Sequence, residues 1–341
     1  MNKKVQILVL LALFVALLGV ANILWGSVSI PAGDVLNILA GHGSPDHPSW
    51  DYIIRESRIP QVITASLCGA ALSTCGLLLQ TLFRNPLAGP NILGIDSGAN
   101  LGVALVMLLL GGSMTLGSVS LSGYLLIILA ALVGACAIMA LLMLLANYLH
   151  SPIMLLITGV IISYVTSSII SMLNFRATEE GVHNYIIWGM GNFSAVTAER
   201  IPLYTALISL GLLGALLLIK PLDALLLGDS YAQNLGVSIR HTRNRLLLST
   251  GLLTAVTTAF CGPISFLGLA VPHIARLLLR TSSHRILMPG TMLMGAALTL
   301  LCNLLCTLPR SGSIIPINVI TPLIGAPVIL YVILRRKDAK Y

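Results

Sequence analysis

The feature that most limits how this chain can fold is a recurring run of about twenty apolar residues with almost no charge. At 1.5 Å per residue, ~20 residues of helix match a hydrocarbon core about 30 Å thick. Of 341 residues, 57% are hydrophobic and only 9% are charged. A soluble domain of this length needs more charge than that to face water. A membrane β-barrel would show short segments of alternating apolar and polar residues, and the runs here are continuous. The expected fold class is therefore an all-α polytopic membrane protein. It forms a single transmembrane domain over 1–341, with about ten transmembrane helices, several of them broken or short.

The spans are expected near 5–25, 59–82, 99–111, 123–146, 153–173, 201–219, 246–261, 262–280, 286–306 and 316–334. Lys3 and Lys4 precede an apolar run, Val5 to Trp25, that is longer than the core of a signal peptide. Asn22 to Trp25 makes a poor cleavage site, so this run reads as a retained first span. In this layout Arg55, Arg58, Arg176, Arg200 and Arg310 fall outside, and the other fourteen Lys and Arg fall inside. The basic excess marks the cytoplasmic side and puts both termini there. The net charge of +8 thus reports topology rather than nucleic-acid binding. Outside segments are expected at 26–57 with a short interfacial helix, at Gly111 to Ser122 as a turn, and at 174–199 with a short helix from His183 to Met190.

Two interruptions are patterned. Residues 84–98, RNPLAGPNILGIDSG, hold two prolines and three glycines, so no regular helix passes through. Broken backbone at membrane depth is tolerated only when buried in protein or lining a cavity. Residues 220–245 hold Lys220, Arg240, His241, Arg243 and Arg245. Leucines at 222, 225, 226 and 227 precede Gly228-Asp229, and Ala232, Leu235 and Val237 follow. That pattern reads as two short amphipathic helices broken at Gly228, on the basic side, where a partner can push.

Few residues suit covalent chemistry. GxxxxGK[ST], HExxH, GxSxG and CxxC are all missing. The cysteines at 68, 75, 136, 261, 302 and 306 lie in apolar segments without accompanying ligands, and read as helix packing. His273 with Arg276 reads as a packed helix near the inside face, and Asp96 as a cap of the helix after the broken stretch. Spans 5, 6, 7, 9 and 10 carry no mid-membrane carboxylate or histidine of the kind an ion-coupled carrier uses. They carry Ser, Thr, Asn and Gly instead, which permit close helix packing and make a weakly polar wall.

Three ordered motifs resemble the FecCD family of ABC-importer permeases, which handle iron–siderophore complexes, haem and vitamin B12. The first is Arg84-Asn85-Pro86-Leu87-Ala88 with Gly94-Ile95-Asp96-Ser97-Gly98. The second is Leu222-Asp223 through Leu227-Gly228-Asp229, with Leu235-Gly236. The third is Gly262-Pro263-Ile264-Ser265-Phe266-Leu267-Gly268, then Pro272-His273-Ile274-Ala275-Arg276. Gly325-Ala326-Pro327 also fits the family pattern.

The resemblance implies a homodimer in the bacterial cytoplasmic membrane, two cytoplasmic ATPase subunits, and an external substrate-binding protein. ATP and Mg would bind those partners, with no cofactor or metal on this chain, no enzymatic activity in it and no nucleic acid. It implies coupling helices at about 221–241, a cytoplasmic gate at His150-Ser151-Pro152, and docking of the binding protein on Arg58. The family's second docking arginine is Gln61 here. Its A-D-x-x-x-R reads Cys302-Asn303 through Thr307, so Arg55 and Arg310 are expected to supply the lost charge. The expected cargo is an iron chelate, siderophore or haem, with cobalamin as the alternative. An ion-coupled carrier and an intramembrane enzyme using His273 or a cysteine are the other classes.

Overall fold

The computed structural model describes residues 3–43, 47–110, 113–116, 119–149, 151–307 and 314–338. Helix α1 spans Lys3–Leu24. Two short helices follow, α2 (Ala32–Leu39) and α3 (Pro48–Tyr52), and a π turn over Ile53–Arg58 leads without a break into α4 (Ile59–Leu82). The broken stretch leads to α5 (Ile95–Ala104), then a hairpin of β1 (Ser113–Leu116) and β2 (Val119–Ser122). The next helices are α6 (Tyr124–Tyr148), α7 (Pro152–Arg176), α8 (Glu179–Gly189) and α9 (Ile201–Leu217). Two short helices, α10 (Ile219–Leu225) and α11 (Asp229–Asn234), precede α12 (Ile239–Cys261). The chain continues through α13 (Leu267–Leu279), α14 (His284–Cys306) and α15 (Ile317–Asp338).

Each expected span coincides with one of these helices, but they are not equivalent. Six helical stretches, those built on α1, α4, α6, α7, α9 and α14, are long and apolar enough to cross a membrane. The stretches built on α5, α13 and α15 are shorter apolar helices. Helix α12 opens with Arg240, Arg243 and Arg245, and most of its remainder is buried, Leu248 being the exposed exception. Two loop expectations need correction. The turn at 111–122 contains a β-hairpin, and α8 starts at Glu179 rather than His183 because Thr178 caps it, its Oγ1 accepting from Gly181 N at 3.2 Å.

Helix α4 is the axis of the bundle and packs on α9, α12, α13 and α14. Its small residues explain why. Every residue from Cys68 to Leu82 is buried, and nine of those fifteen are Ala, Gly, Ser, Thr or Cys. A Cβ built on Gly76 would lie 1.7 Å from Gly268 O in α13, so the two backbones touch. Helices α5 and α6 meet the same way, with the Cβ of a residue at 98 falling 2.5 Å from Gly134 O.

Side chains tie the helix ends into two opposite sets. At one end Asn22 Nδ2 donates to Leu300 O at 3.0 Å, and Asn303 Nδ2 donates to Asn22 Oδ1 at 2.8 Å. At the other, Thr81 Oγ1 meets His284 Nε2 at 3.0 Å and Arg276 Nη1 donates to Gln80 Oε1 at 2.6 Å. We call the second the basic end, because the loop over 220–245 lies there.

Candidate functional site

The loop joining α9 to α12 folds as the expected pair of short helices. Leu222, Leu225 and Ala232 are buried and anchor it. Leu226, Leu227, Tyr231 and Leu235 all point outward, the last at 58% exposure. Four large apolar side chains exposed on a polar loop form the kind of patch that a partner covers. The break between the helices is Gly228, at φ +108° and ψ 155°, a region open essentially to glycine alone. Gly236, at φ +82°, closes α11.

Two acids fasten this loop to the bundle. Asp223 Oδ1 accepts from His284 N at 2.7 Å and from His284 Nδ1 at 2.8 Å, while Oδ2 accepts from Ser283 Oγ at 3.2 Å. The carboxylate therefore satisfies an otherwise unpaired amide at the start of α14. His284 passes the connection to Thr81 of α4. Asp229 pairs with Arg84 at 2.5 Å, which links α11 to the first residue of the broken stretch.

That stretch is buried where it enters the bundle. Asn85 Oδ1 accepts from Leu87 N at 2.9 Å, and Pro86 O accepts from His273 Nε2 at 2.8 Å. Gly94 takes the left-handed conformation that starts α5, Ser97 is half-buried and Gly98 is buried against α6. Asp96 corrects the expectation of a cap. It occupies the second helical position, is buried, and accepts from Thr258 Oγ1 of α12 at 2.6 Å. His273 and Arg276 hold Pro86 and Gln80, as a packed helix requires. Pro272 sits inside α13, and Gly268 faces Gly76 and Pro90.

Sequence reasoning missed the link from this loop to the turn between α6 and α7. Arg243 donates through Nη1 to Leu149 O at 3.2 Å and through Nη2 to Ala146 O. Arg240 Nε donates to Asn147 Oδ1 at 3.2 Å. The last carbonyls of a helix have no partner within it and carry partial negative charge. The guanidinium supplies both needs, so the end of α6 is clamped to α12 one turn into that helix. Ser151 is exposed and Pro152 opens α7; His150 lies outside the described residues.

At the opposite end Arg58 is a correction. Its side chain is 4% exposed, and it donates to Ile23 O at 2.6 Å, Leu24 O at 3.1 Å and Val28 O. It holds the exit of α1 and presents no charge outward. Arg55 is half-exposed, paired with Asp51 at 3.1 Å and bonded to Ile38 O at 3.0 Å. Arg310 lies outside the described residues. Gln61 and Asn303, at two positions where the family resemblance expects Arg and Asp, bond to each other at 3.1 Å. This neutral amide pair extends to Asn22.

Asn318 was also missed. Its Nδ2 donates to Pro263 O at 2.6 Å and Gly189 O at 3.1 Å, and its Oδ1 accepts from Ser265 N at 3.1 Å. It joins the Gly262–Gly268 turn to α8 and α15. Gly325 packs against Phe266 of the same turn.

The model of the FecCD transport family matches residues 11–335. This chain belongs to the FecCD transport family. The vitamin B12 import system permease BtuC of Salmonella typhimurium is 32% identical over 98% of this chain and 96% of its own length. The protein of that name in Salmonella newport is similar to the same extent. Among solved structures, an ABC transporter of metal-chelate type in an inward-facing conformation is 30% identical, with a TM-score of 0.83 over 97% of this chain and 99% of the other. PsaBC from Streptococcus pneumoniae, 18% identical with a TM-score of 0.54, shares the fold over 80% of this chain and 89% of its own. The FecCD chain described here is thus an ABC-importer permease, a transport subunit rather than a catalytic one.

Proposed function

We propose that this FecCD permease carries cobalamin across the bacterial cytoplasmic membrane as a homodimer. Two ATPase subunits would act on its α10–α11 face, which is cytoplasmic in this reading along with both termini. ATP and Mg belong to those subunits, and an external binding protein delivers the cargo. The observation that carries the cargo assignment is near-full-length similarity to permeases of vitamin B12 import. It favours cobalamin, the alternative cargo, over the expected siderophore or haem. The metal-chelate type of the 30%-identical structure supports a second reading, another chelated metal, through the same machinery.

The outward face of α7 suits a bulky cargo. Tyr164, Ser167, Ser168 and Ser171 are exposed on it. Ser168 Oγ donates to Tyr164 O at 3.0 Å and Ser171 Oγ to Ser167 O at 2.9 Å. Hydroxyls that give their protons to their own helix leave only acceptor lone pairs outward. They wet the wall without gripping what passes. Uptake into sealed right-side-out vesicles loaded with ATP decides the cargo: labelled cobalamin should accumulate, and a ferric siderophore in excess should compete with it poorly. Saturable uptake of the siderophore without cobalamin uptake would move the assignment to the second reading.

In this account a push on α11 moves the start of α12, and with it the Arg243 clamp and the α6–α7 turn. Hydrogen bonds from a charged donor contribute about 1.5–3 kcal/mol each. Arg243→Ala is expected to cut transport about tenfold while ATP hydrolysis continues, so the ATP used per molecule carried rises. Arg243→Lys should restore part of it. An unchanged ratio in reconstituted vesicles would remove the clamp from the mechanism.

Of the docking arginines expected from the sequence, Arg55 is the exposed one among the described residues, whereas Arg58 is committed to carbonyls, so Arg55 is the docking contact tested first. Exposed charges contribute little affinity but steer encounter. Arg55→Glu should slow association of the binding protein a few-fold, more at low salt, where screening is weak. An association rate that is unchanged at both salt concentrations would exclude that role.

A further inference from the structure

We propose that the cavity between the ends of α9 and α12, behind α10, holds an anionic phospholipid. Its phosphate would sit by Arg245 and His241, and its acyl chains would lie along Leu217 and Leu248. The cavity measures about 740 Å³ and has a lining of mixed chemistry. Ser238, His241 and Arg245 are among its polar lining, and Leu217, Leu248 and Gly214 among its apolar lining.

The charge at the mouth is uncompensated. Arg245, which lines the cavity, is exposed and has no ion-pair partner among the described residues. The loop's own acids are spent elsewhere, Asp223 on His284 and Asp229 on Arg84. His241 is exposed, its Nδ1 engaged with Ser238 Oγ at 2.8 Å. No carboxylate lines the cavity, so an anion meets two cation-capable groups and no repulsion.

The apolar part of the lining selects a lipid over a free anion. Leu217 is 82% exposed and Leu248 51%, on facing helices. Along α12, Ser238 to Ser249 covers roughly 16 Å at 1.5 Å per residue. That length takes the groove from headgroup level into the acyl region of one leaflet. Basic pockets between transmembrane helices on the cytoplasmic side are sites for anionic headgroups. Pro221 and Gly236, at the two ends of the α10–α11 loop, also line this cavity, so the lipid would brace the loop from behind.

Native mass spectrometry of the full chain in detergent tests this, with phosphatidylglycerol, phosphatidylcholine and inorganic phosphate as separate probes. The wild type should retain phosphatidylglycerol and not phosphatidylcholine. Arg245→Gln should lower that retention about fivefold, the factor expected for one cation near an anionic surface. Leu248→Trp, which keeps every charge and fills the groove, should also lower it. Both side chains are exposed, so both variants should fold. Equal retention in all three proteins would overturn the proposal. So would inorganic phosphate displacing the lipid and binding Leu248→Trp undiminished, which would mark a phosphate site alone. Lipid held by the isolated chain but lost in the assembled transporter would also overturn it, because a protein subunit would then fill the cavity. The binding readout does not depend on cargo or ATP, so it stands or falls apart from the transport function.

Discussion

Gly228→Val is expected to lower ATP-driven uptake tenfold or more in a subunit that still folds and dimerises. At φ +108° and ψ 155° the backbone sits where a branched residue is strained by about 1–3 kcal/mol. Roughly 5–150-fold in an equilibrium follows from strain of that size. A Cβ at this position meets nothing within 4 Å, so the substitution creates no clash. The strain can relax only by turning α11 relative to α10. That turn moves the exposed patch of Leu227, Tyr231 and Leu235 and pulls on the Asp229–Arg84 pair. Uptake and substrate-stimulated ATPase activity, measured on one reconstituted preparation, check it. Normal stimulated turnover with normal uptake would take the α10–α11 break out of the coupling surface.

Gly76→Val should fail for the opposite reason. Gly76 has ordinary helical backbone, but a Cβ there would lie 1.7 Å from Gly268 O and 2.5 Å from Gly268 C. The obstacle is backbone, which cannot rotate aside as a side chain does. Overpacking of a core costs about 1–3 kcal/mol, and more when neighbours cannot yield. We expect more than about 3 kcal/mol here, because α4 meets four helices at once. The variant should accumulate poorly in membranes and melt well below the wild type in detergent. Gly33→Val is the control, since nothing lies within 4 Å of a Cβ at Gly33. Equal melting of the two variants would mean that α4 and α13 separate more easily than their contact implies.

What could be read from the chain, and what could not, divides by physical range. Apolar runs and basic ends place each span, because solvent acts on every residue locally. The breaks at Arg84–Gly94 and Gly228 are legible because Pro and Gly act on their own backbone. Pairings are a different matter. Nothing near Asp223 indicates that its partner is His284, 61 residues on, and nothing near Arg243 points to Ala146 and Leu149. Arg58 misled because a motif gives residue type without direction: the same guanidinium serves a partner or three carbonyls. The departures at Gln61 and Asn303 look like two lost charges in the sequence. In space the two amides bond to each other, a pairing across 242 residues that the sequence does not announce.

The measurement that tests the central claim most directly is purification of the tagged, full-length chain from its own membranes, with ATPase activity assayed on the eluate. The account predicts a co-purifying ATPase whose activity rises when a binding protein loaded with cobalamin is added, and which loses that response in Gly228→Val. A chain that emerges alone and transports cobalamin without ATP, under conditions that keep known transporter complexes whole, would contradict it.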